Sequence, residues 1–589
     1  MRWLWLRHLN DKPDTKRALQ QKQRALFISG VDKEKRKMMV ISGARIVVEE
    51  LVRHGVDTVF GYPGGAVLPL YDELYKHADR IKHVITAHEQ GAAHAADGHA
   101  RVTGKPGVVI ATSGPGATNL VTGIANAYLD SVPLVAITGN VAVPLLGRDS
   151  FQEVDIVGIT QPVVKHNFVV RDVGHLAHVL DEAFHIANSG RKGPVLVDIP
   201  RSVQIDEIEY DENHSTHKPD PPTSFSISDA VAAIRASKKP FIYAGGGVTA
   251  SNAEEELLEL SKRLCAPVGL SMMGLTALPA SYDLNLGMCG MHGKYAATVA
   301  QSQCDLMLAL GVRFSDRATG NVEEYRRNCT VVHIDIDAAE VDKNVKAHIS
   351  VIGNVKEIMK ALLAELDDYR NDEWLAQIEA NKAVDVLPLT DSFEPHNILE
   401  AVRATAGDGT VVATDVGQHQ MWTMQYYRFE KPRTLLTSGG LGTMGYGMGA
   451  AIGGCIASNR QKTVLITSDG SFGMNLNELA TAVTQELPLV VVILNNGVLG
   501  MVRQWQNMFY GQRYSQTTLD RKTDFAALAQ AFGATGRRVD NLTDLASALT
   551  DLNPSGPTVI ECIIDKDELV LPMIPPSGSV KDIVIRKER

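Results

Sequence analysis

Short runs of aliphatic and β-branched residues, each closing on a small or polar turn and followed by a helical stretch, recur from Val40 almost to the end of the chain. No other feature limits the fold so tightly. Val108-Val109-Ile110-Ala111 runs into Ser113-Gly114-Pro115-Gly116, Leu306-Met307-Leu308-Ala309-Leu310 into Gly311, and Leu489-Val490-Val491-Val492-Ile493-Leu494 into Asn495-Asn496. A strand that is apolar on both faces needs helices on both faces, and strand–helix alternation yields parallel sheets. The runs fall into three blocks, which predicts an α/β protein with three doubly wound parallel-sheet domains. We place these at residues 39–205, 226–370 and 396–572. Connections are expected at 206–225, an acidic stretch ending in Pro219, Pro221 and Pro222, and at 371–395, with a tail at 573–589. A length of 589 residues suits three domains of ordinary size.

Charge and cysteine usage exclude several classes. The net charge of −10 argues against nucleic acid as a partner, and no uninterrupted apolar stretch approaches 18 residues, which argues against a membrane span. The 6 cysteines lie far apart without a CxxC pair, so neither a disulfide framework nor a zinc module is expected. A reduced, cytoplasmic setting fits. Residues 1–38 stand apart, with 11 basic against 4 acidic side chains, leaving −17 on the remainder. This leader would direct the protein to a plastid or mitochondrion if it were a transit segment, but it lacks an extended apolar region. Lys33-Glu34-Lys35-Arg36-Lys37 can be encoded wholly in purines ahead of Met38-Met39, as a translated ribosome-binding site would be. We therefore expect the natural start at Met38 or Met39.

Three motifs carry chemistry. Ser468-Asp469-Gly470-Ser471 ends one buried run and Asn495-Asn496 ends the next, so Asp469 and Asn496 belong at carboxyl ends of neighbouring strands, where open sheets bind ligands. A carboxylate and an amide oxygen there are hard donors suited to Mg²⁺ and a phosphate-bearing ligand, and Gly470 and Ser471 would open a helix facing the same anion. Asp-Gly and Asn-Gly are also common turn pairs, so the pattern alone leaves both readings open. The second motif is His88-Glu89-Gln90, read as the end of a strand, where a lone glutamate is commonly solvated surface. The third is the run 438–445, with a formal GxGxxG at Gly440, Gly442 and Gly445. It lacks the preceding strand and ribose-binding acid of a dinucleotide fingerprint, and that reading is discarded.

Together the three resemble the thiamine-diphosphate enzymes, whose motif pairs GDG with NN some 25–30 residues later; Ser468 in place of the first glycine is a departure. The resemblance implies Mg²⁺ ligands at Asp469, Asn496 and the main-chain oxygen of Val498. It implies cofactor contacts at Gly417, Gln418, His419, Gly442, Met444, Gly470 and Ser471. Met444 would be the wedge that bends the cofactor, the first domain would bind the pyrimidine and the third the diphosphate. Glu89 would be the carboxyl that tunes the aminopyrimidine, the cofactor-borne base.

Phe60-Gly61-Tyr62-Pro63-Gly64-Gly65-Ala66, residues 113–119, Phe151-Gln152-Glu153, Lys165-His166-Asn167, residues 415–420 and Gln504-Trp505-Gln506 narrow the resemblance. Over residues 41–576 the chain looks like the catalytic subunit of the acetohydroxyacid (acetolactate) synthase family. That family joins pyruvate to a second pyruvate, giving 2-acetolactate, or to 2-oxobutyrate, giving 2-aceto-2-hydroxybutyrate, at the start of branched-chain amino-acid synthesis. By resemblance Phe151 and Gln152 lie near the reacting carbon and Trp505 shapes the acceptor pocket.

Arg313-Phe314-Ser315-Asp316-Arg317, differing from the family loop only at Ser315, favours a bound FAD of mainly structural role in the central domain. The expected FAD residues are Arg191, Gly245, Gly246, Gly247, His292, Gly311, Arg313, Asp316, Arg317, Asp335, Ile336 and Asn354. The triple glycine would let backbone approach the flavin nucleotide, and Asp335 would accept from it. The family further implies a homodimer or dimer of dimers, with Glu89 and Asp469 of one site on different chains, and a separate small regulatory subunit. Ala142 and Arg201 replace the family's usual Pro and Lys along its access channel, implying an altered response to channel-blocking inhibitors. A pyruvate-oxidase-type flavoenzyme and a non-catalytic thiamine-binding protein are the alternatives.

Overall fold

The computed structural model describes residues 38–212 and 224–585. It contains three six-stranded sheets, each parallel throughout, and a small two-stranded one. The first sheet runs Lys82–Ile85, Thr58–Tyr62, Gly107–Ala111, Leu134–Asn140, Pro194–Pro200, His166–Val169. The third runs Leu435–Leu436, Val411–Thr414, Thr463–Ser468, Leu489–Asn495, Thr558–Ile563, Thr535–Val539. Numbered by order within each domain, both read 2-1-3-4-6-5. The central sheet differs: Asn285–Met288, Val268–Leu270, Pro240–Ala244, Leu306–Leu310, Thr330–Asp335, Ile349–Ile352, an order of 3-2-1-4-5-6. That is the order of dinucleotide-binding sheets, whose ligand crevice opens where the order reverses. Here the reversal lies between Pro240–Ala244 and Leu306–Leu310, at Gly245 and Gly311. In the outer sheets it lies between the first and third strands, beyond Tyr62 and Ala111 in one and beyond Thr414 and Ser468 in the other.

The central strands of each sheet are buried on both faces, as their unbroken apolar runs require. Edge strands such as Lys82–Ile85 and His166–Val169 are short and mixed in polarity, which hid them in the sequence. The first and third domains meet through Glu89–Thr103 and Tyr446–Ala457, two helices rich in Gly and Ala. Only such residues allow the approach: a Cβ on Gly453 would lie 1.8 Å from the Ala95 carbonyl oxygen, and one on Gly98 2.3 Å from that of Ala450. The interface continues the apolar core of both domains as one cluster.

Stretches read as connections are in part elements. Glu207–Asp211 pairs antiparallel with Met38–Ser42, and Tyr210 donates to Glu50 Oε1 at 2.7 Å. Asp372–Lys382 is a helix whose Trp374 and Ile378 are buried in the central core, with Trp374 Nε1 donating to the Pro240 carbonyl at 3.1 Å. Its charged flanks masked that apolar pair. The expected tail folds back: Met573 and Val584 exchange backbone hydrogen bonds, and Ile574 N donates to Met291 O at 2.8 Å. The basic leader up to residue 37 and the proline-rich end of the first connection lie outside the described residues. Among the described residues, no helix is long and apolar enough to cross a membrane.

Candidate active site

At the carboxyl end of the third sheet, Ser468 pairs in register with Leu494, which sets Asp469 beside Asn495-Asn496. Ser468 caps a helix of only four residues, Asp469–Phe472, so the expected anion-facing helix is a single turn. Asp469 Oδ1 and Ser471 Oγ are buried without a hydrogen-bond partner. Burial pushes the Asp469 pKa up to about 6, against the lowering by backbone N–H groups at Gly470 and Asp469. Asn496 Oδ1 accepts from Val498 N at 3.2 Å, and its Nδ2 donates to Gln418 Oε1 at 3.2 Å. Val498 bridges Thr518, but the bridge's hydrogen bonds run through Leu499 N and Gly497 O, so they leave the Val498 carbonyl unused. A small pocket of about 80 Å³ is lined by Gly417, Gln418, His419, Ser468, Asn496 and Val498, among others. Buried oxygens with spare lone pairs cost free energy unless a ligand meets them. This hard-oxygen set suits a divalent cation and a diphosphate.

Gly417, at a φ of 150°, precedes the helix Gln418–Tyr426, whose His419 is buried and neutral, its pKa lowered to about 3 by burial. Asp415 accepts from Gly447 N at 2.8 Å and Thr467 Oγ1 at 2.7 Å, tying this turn to the next strand. The run 438–445 follows a two-residue strand and bears Gly442 at a φ of 70°. Residues of the first domain that no motif had singled out hold it in place. Asp130 accepts from Gly439 N at 3.0 Å and Gly440 N at 2.7 Å, while Asn126 Oδ1 accepts from Ser438 Oγ at 2.5 Å. Behind them Arg101 donates to Asp97 at 2.6 Å and to Asp130 at 2.9 Å, and Tyr446 donates to Asp97 at 2.7 Å. Burial alone would lower the Arg101 pKa; Asp97, Tyr446 and Asp130 more than offset it. The arginine stays charged and the network stays rigid.

The first domain builds a second constellation. Glu89 is not at a strand end: it is the first residue of the helix Glu89–Thr103, capped by His88, three residues beyond the strand. Asn119 Nδ2 donates to Glu89 Oε2 at 3.0 Å. The Glu89 Oε1 atom lies 3.3 Å from where a Cβ on Gly116 would be, and Gln152, at a φ of 59°, covers Gly114 in the same turn. Phe151 beside it is 87% exposed. Glu89 and Gln152 thus flank one turn, residues 113–119. None of Glu89, Phe151 and Gln152 lines the cavities at the third sheet. The Glu89 constellation and the third-sheet pocket are thus separate places in one chain.

The third-sheet pocket opens onto a cavity of about 2270 Å³, far above the range of a single small-ligand site. Gly417, Gly442, Met444 and Trp505 line it from the third domain. Arg191, Gly246, Gly247, His292, Gly311, Arg313, Asp316, Arg317, Asp335, Ile336 and Asn354 line the remainder, at the reversal point of the central sheet. His292, which lines it, has a buried Nδ1 without a hydrogen-bond partner. Gly245 has another role: a Cβ on it would lie 2.2 Å from the Gly311 carbonyl oxygen, and one on Gly247 2.6 Å from Gly311 Cα. The triple glycine first of all allows two turns of the protein itself to touch. Arg191 is engaged by Ser131 at 2.8 Å and Glu340 at 2.5 Å, and Asp335 accepts from Asp337 N at 2.9 Å. Arg317 stacks over Trp505, 5.7 Å from the ring centre, so the central domain reaches the third-domain rim. A crevice of this size, sheet order and glycine content suits a dinucleotide beside the diphosphate pocket.

Two parallel sheets of one topology, flanking a dinucleotide-type sheet and carrying a carboxylate–amide pair at the third sheet's reversal point, define a thiamine pyrophosphate enzyme. The family models agree in order and place: thiamine pyrophosphate enzyme N-terminal TPP binding domain over residues 41–159, central domain over 227–362, and C-terminal TPP binding domain over 415–562. The chain is 43% identical to the acetolactate synthase isozyme 3 large subunit of Escherichia coli, over 93% of this chain and 99% of that protein. It is 44% identical to the acetolactate synthase of Mycobacterium bovis, over 92% and 91%, and 41% identical to a probable acetolactate synthase large subunit of Methanocaldococcus jannaschii, over 92% and 95%. The chain belongs to the acetolactate synthases.

Proposed function

We propose that this acetolactate synthase decarboxylates pyruvate and joins the remaining two-carbon unit to a second pyruvate or to 2-oxobutyrate, the first shared step towards valine, leucine and isoleucine. The observation that carries this reading is the convergence of Asp469, Asn496 and the free Val498 carbonyl beside a large cavity bearing Met444 and Trp505. Bound thiamine diphosphate supplies a nucleophilic carbon and an electron sink for the leaving CO₂.

The chain's own residues do the rest. Asp469, Asn496 and Val498 O hold Mg²⁺, which offsets the diphosphate charge, with Gly417, Gln418, His419, Gly470 and Ser471 around the anion. Gly442 would present backbone to the pyrimidine and Met444 would pack against the cofactor, since both line the cavity. Glu89 keeps Oε2 on Asn119 and shares a proton between Oε1 and the pyrimidine ring nitrogen. Phe151 and Gln152 enclose the reacting carbon. Trp505, braced by Arg317, contacts the acceptor's side chain.

Because Glu89 and Asp469 lie in separate half-sites of one chain, two chains paired about a twofold complete two sites. The smallest active unit is then a homodimer. FAD occupies the central crevice without net redox change. The relatives named as large subunits support a separate small subunit as a further partner.

The test is one assay with pyruvate, Mg²⁺ and thiamine diphosphate, scoring CO₂, acetolactate and oxygen uptake, with and without FAD. Acetolactate and CO₂ in equal amounts without oxygen uptake are expected. Oxygen uptake matched to pyruvate would overturn the reading in favour of an oxidase, which the shared flavin-sized cavity would also suit. A Glu89→Gln protein should lose about two orders of magnitude or more in C2-proton exchange of bound cofactor. Exchange at the wild-type rate would refute the role of Glu89.

A further inference from the structure

The backbone that delivers Glu89 is held from another domain. Glu478 ends the short turn Leu476–Glu478 in the third domain and is fully buried. Its Oε1 accepts from His88 N at 3.0 Å; its Oε2 accepts from Ala87 N at 3.1 Å and from Thr481 Oγ1 at 2.7 Å. A Cβ on Gly91 would lie 2.1 Å from Glu478 Oε1, so the absence of a side chain at Gly91 is what admits the carboxylate. His88, held in this way, accepts from Gln90 N at 3.1 Å through its Nδ1, and its carbonyl accepts from Thr86 Oγ1 at 3.0 Å. Every named bond on Glu478 runs from a donor to a carboxyl oxygen, an arrangement that a carboxylate satisfies and an amide, whose nitrogen cannot accept, does not. Glu478 also closes the segment that begins at Asp469. One ten-residue stretch of the third domain therefore carries the candidate metal ligand Asp469 at one end and meets the N-terminus of the Glu89 helix at the other.

We propose that Glu478 is a positioning residue: it fixes the backbone at Ala87 and His88 so that Glu89 presents its carboxyl in the one orientation that the cofactor pyrimidine requires. This rests on the role assigned to Glu89 above. The residue touches neither substrate nor cofactor. Its effect passes through two main-chain N–H groups, and it ties the Glu89 half-site of a chain to that chain's own Asp469 half-site.

Glu478→Gln keeps the shape but turns one donor against another. Two readouts on the full-length protein test it. Hydrogen–deuterium exchange of the cofactor-free protein should rise about tenfold or more at Ala87 and His88, while the strand Gly107–Ala111 stays protected. In the holoenzyme, C2-proton exchange and kcat should fall about tenfold or more with the KM for pyruvate within about twofold. Glu478→Asp, a carboxylate one methylene shorter, should recover part of both. Wild-type behaviour in either readout overturns the proposal. Glu89→Gln run in parallel separates the two levels: loss of C2 exchange there with none in Glu478→Gln refutes positioning alone, whereas wild-type exchange in both refutes the Glu89 reading itself.

Discussion

Asp469 shows how one residue is prepared for a ligand. Its buried Oδ1 meets no donor, and its pKa is pushed to about 6 by burial, a state that a bound cation relieves and that empty protein tolerates at a cost. Asp469→Ala should weaken Mg²⁺-dependent thiamine diphosphate binding by about 100-fold, roughly 2.7 kcal/mol, while the thermal midpoint of the cofactor-free protein stays level or rises. Fluorescence titration and calorimetry on the same variant read both. Trp505 makes a different contribution, a flat apolar wall held by Arg317. A pocket that distinguishes acceptors by one methylene works within about 10–200-fold. Trp505→Leu should lower the preference for 2-oxobutyrate over pyruvate by about tenfold, measured as the product ratio when both acceptors compete. Asp469 and Asn496 were legible in the sequence because each ends a continuous apolar run. Glu478 and Asp130 were not: their partners are backbone N–H groups 390 and 309 residues away, and a main-chain donor leaves no mark on residue type.

At the scale of elements, the pairing of Glu89–Thr103 with Tyr446–Ala457 sets the register between the first and third domains. The two helices carry glycine wherever the other's backbone comes closest, and their ends bear reciprocal clamps. Glu478 holds the start of the first-domain helix, and Asp130 and Asn126 hold the loop leading into the third-domain helix. Gly453→Ala would force a methyl into the Ala95 carbonyl. We expect a loss of about 1–3 kcal/mol in urea unfolding, together with weaker cofactor binding, because the shift displaces residues 438–446. A midpoint within experimental error of wild type would show that the helices can slide. Nothing local in the sequence shows that the two helices face one another.

For the whole molecule, buried histidines work against stability in acid. Burial lowers the pKa values of His83, His94 and His292 to about 4 and that of His419 to about 3. The unfolded chain takes up protons at these sites from pH 6.5 downward and the folded protein does not, so the histidines' contribution to stability is complete above 6.5 and falls towards 4. Asp198 and Asp469, raised to about 6 by burial, work in the opposite sense, gaining stability as pH drops from 6 to 3.8, and offset part of that loss. His94 is fully buried against Tyr446. His94→Phe should flatten the pH dependence of stability between 6.5 and 4 by up to about 1.4 kcal/mol per pH unit, read from denaturant unfolding at a series of pH values. An unchanged slope would place the proton uptake elsewhere. Three α/β domains, their order, the carboxylate–amide pair at neighbouring strand ends and the family resemblance all followed from the sequence, because apolar runs and the turns that end them are local properties of the chain. The identical order of the outer sheets, the reversal point at Gly245 and Gly311 and the carboxylate clamps were decided only by tertiary structure. They depend on contacts between groups far apart in the sequence, which chain packing creates and local residue patterns do not reveal.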